Sequence, residues 1–367
     1  MKIALAQLNF LIGDFERNFN RIERAAKEAL DQGADLVVFP ELAVCGYPPR
    51  DFLEFEDFIQ RCESVIEQLL PVSKEIGILL GCPTRNPEVE GKDLFNSAVF
   101  LHDGEWKQSF HKSLLPTYDV FDEYRYFEPN HDDRILEFKG KRLAITICED
   151  IWNVGNENPL YPHNPMDLMM AHRPHAIINL SASPFHYNQA NERLAVIKAN
   201  VERYQIPLFY VNHIGAQTEL IFDGGSIVAD AEGKVLTEMP YFEEAVQTFG
   251  MEKLEASALS GEQPKEKYAL IHDALVIGLR NYFEKLGFKK AILGLSGGID
   301  SALTLALAAK AIGPENVRSI LLPSQFSSDH SIEDSRKLCQ HLGSPYDIVP
   351  ISDSNRAMLD TMAPSFK

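Results

Sequence analysis

The sequence predicts an α/β protein in two parts, a layered α/β sandwich followed by a doubly wound parallel sheet. Short β-branched runs alternate with amphipathic helical periods along the chain, which is the pattern of helices packed on sheets. Between about residues 240 and 267 the sequence becomes polar, and its hydrophobic residues no longer follow a clear period. We therefore predict a first domain at 1–249, a linker at 250–264 and a second domain at 265–367.

The composition is that of an ordinary folded protein. The chain has 367 residues, of which 45% are hydrophobic and 24% charged, and this is enough to bury real cores. At about 150 residues per domain, this length allows two to three domains. The formal net charge of −18 disfavours binding to nucleic acid or a membrane surface, because both need clustered Lys and Arg.

The cysteines and the apolar runs indicate a cytoplasmic enzyme. The five cysteines are odd in number and form no Cys-x-x-Cys pair, which disfavours a disulfide framework or a structural zinc site. The N-terminal apolar stretch is interrupted by Gln7 and Asn9, so it predicts a strand rather than a signal peptide. No apolar run approaches the roughly 18 residues that a membrane span needs.

The first domain alternates strands and helices. The stripe Ile22, Ala25, Ala29 predicts a helix that ends before Gly33, and Pro71 is expected to kink or end another. The helices are predicted at 15–32, 57–76 and 190–204. The strands are predicted at 2–8, 35–39, 78–81, 96–101, 105–111, 142–147, 176–180, 207–212, 225–229 and 234–237.

The second domain has a βαβαβ pattern after an opening amphipathic helix. The helices are predicted at 268–286, 299–311 and 330–342. A buried strand is predicted at 291–295, and further strands at 317–322 and 345–350. This order is typical of a parallel, doubly wound sheet.

Three reactive side chains follow three predicted strand ends of the first domain. Glu41 follows the strand 35–39, Lys112 follows 105–111, and Cys148 follows 142–147. Strand ends are where α/β proteins assemble active sites. A carboxylate can take the proton of a thiol, and an ammonium can stabilise a thiolate or an oxyanion. Taken singly, each residue is more often structural: a buried thiol, a strand-end cap or a surface ion-pair partner.

The segments around these residues resemble the carbon–nitrogen hydrolase (nitrilase) superfamily over roughly residues 1–249. The resemblance lies in Phe39-Pro-Glu41, in His111-Lys112 and in Thr146-Ile-Cys148-Glu149-Asp150, in the family's order. It implies an α-β-β-α sandwich with Glu41 as base, Lys112 as oxyanion stabiliser and Cys148 as acyl nucleophile. The resemblance also implies a second catalytic glutamate, for which Glu123 is the candidate.

Further residues resemble the branch of that superfamily that hydrolyses glutamine. These are Tyr118, Glu149, Trp152, Ser183 and Gln189. Glu149 is a plausible partner for the α-ammonium of glutamine. The branch usually carries a basic residue for the α-carboxylate where this chain has Gln189, with Arg193 one helical turn later. For the two aromatic residues, core packing is an equally good reading.

A glycine-rich segment joins a strand to a helix in the second domain. Its backbone amides and the following helix N-terminus favour a phosphate, and Asp300 can hold magnesium on it. It lacks the lysine of a P-loop and is not Gly-x-Gly-x-x-Gly, and a capped turn without a ligand is the alternative. The predicted ATP-binding residues are Gly294, Leu295, Ser296, Gly297, Gly298, Ile299, Asp300 and Ser301.

This segment resembles the pyrophosphate loop of the N-type ATP pyrophosphatases, which have an adenine nucleotide alpha hydrolase-like fold. Residues 268–288 and 322–331 resemble the NAD synthetase branch. Together with the first domain, the chain resembles the family of glutamine-dependent NAD synthetases. That family uses glutamine, ATP with magnesium, and deamido-NAD, with no tightly bound organic cofactor expected, and the nitrilase resemblance implies a homo-oligomer.

The family's synthetase domain continues well beyond the length present here, so we expect its C-terminal part to be missing from this chain. Two other functions stay open at this point. One is a stand-alone amidase with a vestigial ATP domain, and the other is a non-catalytic nucleotide-binding protein. The intact trio of Glu41, Lys112 and Cys148 weighs against the second.

Overall fold

The computed structural model describes residues 1–155, 159–252 and 266–366. The chain divides into two compact units, Met1–Lys267 and Tyr268–Lys367. The predicted linker at 250–264 lies outside the described residues from position 253 onward. Within the described residues, no helix is both long enough and apolar enough to cross a membrane.

The first unit contains fourteen strands and four α-helices among its described residues. The helices are α1 (Phe15–Asp31), α2 (Glu56–Leu69), α3 (Pro165–Met169) and α4 (Gln189–Tyr204). The strands are β1 (Lys2–Gln7), β2 (Leu36–Val38), β3 (Gly77–Arg85), β4 (Leu94–His102), β5 (Glu105–His111), β6 (Leu136–Phe138), β7 (Lys141–Ile147), β8 (Ala176–Leu180), β9 (Leu208–Val211), β10 (Ile214–Gln217), β11 (Leu220–Asp223), β12 (Ile227–Ala229), β13 (Val235–Glu238) and β14 (Ala245–Gly250).

Two six-stranded sheets form the middle of this unit. One has the strand order β14-β1-β2-β3-β4-β5 and the other β13-β12-β9-β8-β7-β6, while β10 and β11 form a separate hairpin. Side chains from both sheets, including Leu5, Leu79, Ile145 and Phe209, share one buried cluster. The two sheets therefore pack face to face, as two sheets must when each has an apolar inner face.

Helices cover the outer faces of both sheets. Residues of α1 and α2, such as Ile22 and Val65, share a buried cluster with the outer face of the first sheet. Residues of α3 and α4, such as Met166 and Ile197, do the same on the second sheet. The layer order is α-β-β-α, which confirms the predicted sandwich.

Two local features of this unit refine the predicted elements. The helix predicted at 57–76 ends at Leu69, as expected from Pro71, which lacks the N–H that a helix interior needs. The end of the predicted first domain contains a strand that the sequence pattern does not predict, since β14 pairs antiparallel with β1 from Lys2–Gly250 to Gln7–Ala245. That pairing joins residues more than 230 positions apart, and a local pattern cannot show it.

The second unit is a parallel sheet with helices. Its strands β15 (Ala291–Gly294), β16 (Val317–Leu321) and β17 (Tyr346–Ile348) are parallel and lie in that order. The helices are α5 (Lys267–Leu286), α6 (Ile299–Ile312), α7 (Asp329–Leu342) and α8 (Ser352–Met362). Helices α6 and α7 pack on one face of the sheet. The prediction of a buried strand at 291–295 is wrong in part, because Ile292 on the other face is 77% exposed.

Candidate active site

The catalytic candidates of the first unit come from both sheets. Glu41 follows β2 and Lys112 follows β5 in one sheet, while Cys148 follows β7 in the other. All three side chains are buried. The face-to-face packing of the sheets therefore brings together residues that lie far apart in the chain.

Lys112 lies between two carboxylates. Its Nζ donates to Glu41 Oε1 at 2.6 Å and to both carboxylate oxygens of Glu123 at 2.8 Å. Burial alone would lower the pKa of the lysine, but the charges of Glu123 and Glu41 outweigh it and raise that pKa well above its usual value. The ammonium therefore stays charged at neutral pH.

Both carboxylate oxygens of Glu41 accept hydrogen bonds. Asn96 Nδ2 donates to its Oε1 at 2.7 Å, and the backbone N–H of Ala182 donates to its Oε2 at 3.1 Å. Burial and the nearby Glu123 raise the pKa of Glu41 to about 7, against the opposing effect of Lys112. A carboxyl with a pKa near neutrality is suited to exchange a proton with a thiol.

A close approach of strand β3 supports the turn that carries Glu41. A Cβ added at Gly81 would collide with the backbone of Glu41 and Leu42. The backbone N–H of Gly81 donates to the carbonyl of Pro40 at 3.2 Å, and Val44 N–H donates back to the carbonyl of Gly81 at 3.1 Å. Only glycine allows the strand to pass this close to the turn.

Cys148 lies on a sharp turn at the end of β7. Its φ of +41° is in the left-handed region, which costs energy for a residue other than glycine. The side chain is 6% exposed. Burial and the Glu41 carboxylate raise the pKa of the thiol well above its usual value, while the Lys112 charge opposes this. The thiol is therefore neutral until a base removes its proton.

Glu149 and Tyr118 form a polar group beside Cys148. Tyr118 Oη donates to both carboxylate oxygens of Glu149, at 2.9 and 3.0 Å. Burial raises the pKa of Glu149, and hydrogen bonds from Tyr118 and Tyr161 oppose this. Trp152 is partly buried and packs against the cluster that α3 and α4 share with the second sheet.

Ser183 and Gln189 contact each other, whereas Arg193 forms a buried ion pair elsewhere. Gln189 Nε2 donates to Ser183 Oγ at 2.9 Å. Arg193 is fully buried and forms an ion pair with Asp223 at 2.8 Å. Its Nη1 donates to the carbonyl of Gly224 at 3.0 Å. Internal partners thus take both terminal nitrogens of the guanidinium, while its buried Nε has no hydrogen-bond partner among the residues that the structure describes.

The glycine-rich loop of the second unit connects β15 to α6. Ser301 Oγ accepts from the Ser296 N–H at 3.3 Å and donates to the Gly298 carbonyl at 3.0 Å, so the two serines shape the loop. Gly297 has a φ of +85°, and a Cβ there would lie 2.5 Å from the Ser331 carbonyl oxygen. The loop therefore needs glycine to pass the start of α7.

A cavity of about 310 Å³ opens beside this loop. Its walls include Gly294, Leu295 and Ser296 from the loop side and Leu322 and Ser331 from the side of β16 and α7. Asp300 is exposed in the first turn of α6. Among residues 1–155, 159–252 and 266–366, no group of three or more His, Cys, Asp or Glu side chains forms a metal site. A single carboxylate suits a magnesium ion carried mainly by nucleotide phosphates.

The sequence reasoning missed several residues of this site. Asn96 on β4 donates to both Glu41 and Glu123, the latter at 3.3 Å, and Tyr47 Oη donates to Glu123 at 2.8 Å. The Asp150 carboxylate accepts from three backbone N–H groups. Asp150 stands in the motif around Cys148, whereas no local sequence pattern marks Asn96 or Ala182. Their contacts exist only in the folded chain.

The family models agree with this division of the chain. The model described as carbon-nitrogen hydrolase matches residues 2–253, and the model described as NAD synthase matches residues 271–366. The sandwich fold and the buried glutamate–lysine–cysteine group thus define the first part of the chain as a carbon–nitrogen hydrolase.

Curated relatives identify the family more closely. The glutamine-dependent NAD(+) synthetase of Synechocystis sp. is 40% identical, over 100% of this chain and 67% of its own length. The glutamine-dependent NAD(+) synthetase of Thermotoga maritima is 34% identical, over 99% of this chain and 67% of its own length. The chain belongs to the family of glutamine-dependent NAD(+) synthetases, and it spans about two thirds of the length of these relatives.

Solved structures show the same likeness. The glutamine-dependent NAD+ synthetase from Acinetobacter baumannii in complex with ADP superposes with a TM-score of 0.91 at 33% identity, over 100% of this chain and 67% of that one. An amidase from Nesterenkonia sp. AN1 superposes with a TM-score of 0.58 at 24% identity, over 68% of this chain and 92% of that one. The amidase shares the fold of the first unit.

Proposed function

We propose that the first unit hydrolyses glutamine at Cys148 and that the ammonia serves ATP-dependent synthesis of NAD from deamido-NAD. The observation that carries the glutaminase is the buried ammonium of Lys112, held between Glu41 and Glu123 beside the thiol. Burying three charges is costly, and apolar residues would pack as well. A catalytic role explains why these three buried charged side chains are present.

The first half-reaction forms a thioester. Glu41 takes the proton of the Cys148 thiol, and the sulfur attacks the side-chain amide carbon of glutamine. The Lys112 ammonium stabilises the negative oxygen of the tetrahedral intermediate. The intermediate collapses when Glu41 returns the proton to the departing nitrogen, which leaves as ammonia.

The second half-reaction restores the enzyme. Glu41 takes a proton from a water molecule that attacks the thioester carbonyl, and the oxyanion again faces Lys112. Collapse releases glutamate, and the proton returns to the sulfur of Cys148. Glu123 and Asn96 keep the lysine and the base in place through both steps.

Recognition of glutamine uses the polar group next to the thiol. The Glu149 carboxylate, hydrogen-bonded to Tyr118, is the partner for the α-ammonium. Because Arg193 is ion-paired with Asp223, the α-carboxylate instead meets neutral donors in the region of Gln189 and Ser183. Trp152 forms an apolar wall of the pocket.

The second unit acts on ATP. Residues 294–301 and the N-terminus of α6 bind the phosphates, and Asp300 holds a magnesium ion that the nucleotide brings. The carboxylate of deamido-NAD attacks the α-phosphorus of ATP and displaces pyrophosphate. Ammonia then attacks the acyl-adenylate carbon and displaces AMP, giving NAD.

The deciding experiment measures glutamate release from glutamine by the full 367-residue chain. Cys148→Ala is expected to lower the rate by at least about 10³-fold, because loss of a nucleophile removes the covalent route. Cys62→Ala, which removes a different buried thiol, is the matched control and is expected to keep the rate. Wild-type release that survives in Cys148→Ala would refute the proposal.

The same assay distinguishes the alternatives. Added ATP, magnesium and deamido-NAD test whether the second unit of this chain communicates with the first, and NAD formation tests synthesis directly. Turnover of other amides without glutamine would favour a stand-alone amidase. A homo-oligomer and a cytoplasmic location stay predictions, the first checked by light scattering of the purified chain.

A further inference from the structure

Asp150 is a buried carboxylate close to the proposed nucleophile. It lies two residues after Cys148 and is 2% exposed. Its Oδ2 accepts from the backbone N–H of Ile147 at 2.9 Å. Its Oδ1 accepts from the N–H groups of Ser113 at 3.0 Å and Leu114 at 2.9 Å.

These hydrogen bonds join the two segments that carry the reacting groups. Ile147 directly precedes Cys148, and Ser113 directly follows Lys112. The first segment ends β7 in one sheet and the second follows β5 in the other. One side chain therefore links the nucleophile's turn to the lysine's segment across the two sheets.

The turn at Cys148 needs such support. Its positive φ is unfavourable for cysteine, so surrounding contacts must hold it. Asp150 holds the residue before the turn, and Asn179 Nδ2 donates to the Cys148 carbonyl oxygen at 3.4 Å from β8. The thiol is thereby fixed with respect to both the strand end and the lysine.

We propose that Asp150 is a positioning residue of the glutaminase reaction, whose carboxylate holds the Cys148 turn against the segment after Lys112. This inference rests on the proposed glutaminase function. A carboxylate is required because both of its oxygens accept, whereas an amide at this position offers one acceptor and one donor. The side chain acts through Cys148 and Lys112 and does not touch the substrate.

The experiment compares three variants of the full chain: Asp150→Ala, Asp150→Asn and Gln7→Ala. Gln7 is the matched control, because it is fully buried and makes four hydrogen bonds, to Pro240, Glu243 and Ser226, without reaching either catalytic segment. Each variant is assayed for kcat and KM with glutamine, for its thermal midpoint, and for the rate at which iodoacetamide alkylates Cys148, followed by peptide mass spectrometry.

Asp150→Ala is expected to lower kcat by about 10²-fold, the usual effect of misplacing a reacting group by about 1 Å. KM is expected to change less than about threefold, since substrate contacts remain. The kcat of Asp150→Asn is expected to lie between those of the wild type and Asp150→Ala, because the amide carbonyl can still accept from the N–H groups of Ser113 and Leu114. Alkylation of Cys148 is expected to slow in the same order, while Gln7→Ala keeps wild-type kcat despite a lower thermal midpoint.

Equal kcat for the folded fractions of Asp150→Ala and Gln7→Ala would overturn the inference. If Asp150→Ala does not fold, the isosteric Asp150→Asn takes its place in this comparison. A kcat for Asp150→Asn equal to that of Gln7→Ala would then overturn the inference. Wild-type protein without glutaminase activity would refute the proposed function instead, and the alkylation rates would still test the role of Asp150.

Discussion

The ammonium nitrogen of Lys112 lies 2.6 Å from Glu41 Oε1, and neither side chain is exposed. Glu123 contacts the same nitrogen, so one buried cation is shared by two carboxylates. Ionising both carboxylates leaves an excess negative charge among buried side chains. Protonation of Glu41 removes this excess charge, and its pKa is accordingly raised to about 7.

Removing the cation is expected to be costly for stability. Lys112→Met leaves two buried carboxylates unpaired and is expected to destabilise the fold by about 3–5 kcal/mol above neutral pH. The loss is expected to shrink as the pH falls, because protonation neutralises the carboxylates. Urea unfolding at two pH values measures both effects. Lys107→Met is the control, since Lys107 pairs with Glu105 on the surface, and a similar loss there would contradict the interpretation.

The pH dependence of the glutaminase is expected to follow Glu41. Because the base acts when ionised, kcat/KM is expected to rise with pH through about 7, the pKa of Glu41. Glu123→Gln removes a negative charge that raises this pKa, so the midpoint is expected to move to lower pH. Glu105→Gln, which changes an exposed carboxylate, is expected to leave it in place. A midpoint that stays or rises in Glu123→Gln would count against Glu41 as the base.

The same raised pKa affects folding. Between the ordinary value of 4.5 and about 7, the folded state holds more protons on Glu41 than the unfolded state. Stability from this group is therefore complete below 4.5 and is lost as the pH rises through about 7. Glu41→Gln is expected to flatten that part of the stability profile, measured by urea unfolding across the range. An unchanged profile would show that Glu41 does not titrate there.

Glu149 is expected to set the preference for an amide with an α-ammonium. Glu149→Gln removes the charge but keeps the shape, so KM for glutamine is expected to rise about tenfold or more. For the monoamide of glutaric acid, which lacks the ammonium, wild type and variant are expected to be alike. Steady-state kinetics with both substrates gives the comparison. An equal loss on both would assign Glu149 to the chemical step or to folding instead.

Gly297 is expected to be required for the nucleotide loop. A Cβ at Gly297 would meet Ser331, whereas Gly343 has a similar positive φ with no atom within 4 Å. Gly297→Ala is therefore expected to weaken ATP binding, measured by calorimetry, while Gly343→Ala costs only the backbone strain of about 1 kcal/mol. Equal binding by both variants would show that the loop does not hold the phosphates.

Residues at the ends of local elements could be predicted without the structure. Glu41, Lys112 and Cys148 each follow a strand whose pattern is visible in a few neighbouring residues. The glycines and serines of 294–301 likewise reveal a strand–loop–helix connection locally. In contrast, β14 was missed, because its antiparallel partner β1 is at the other end of the first unit.

By itself, the sequence determined the α/β class, the sandwich and the parallel sheet, because local hydrophobic periods and turn residues depend on neighbours within a few positions. The candidate trio of Glu41, Lys112 and Cys148 is identified in the sequence by the resemblance of its three motifs to the carbon–nitrogen hydrolases. Only the tertiary structure decided which groups surround the trio. Asn96 joins Glu41 to Glu123, Asp150 joins the two catalytic segments, and Arg193 is ion-paired with Asp223. These contacts link residues from about 30 to more than 50 positions apart, and the packing of strands and helices creates them.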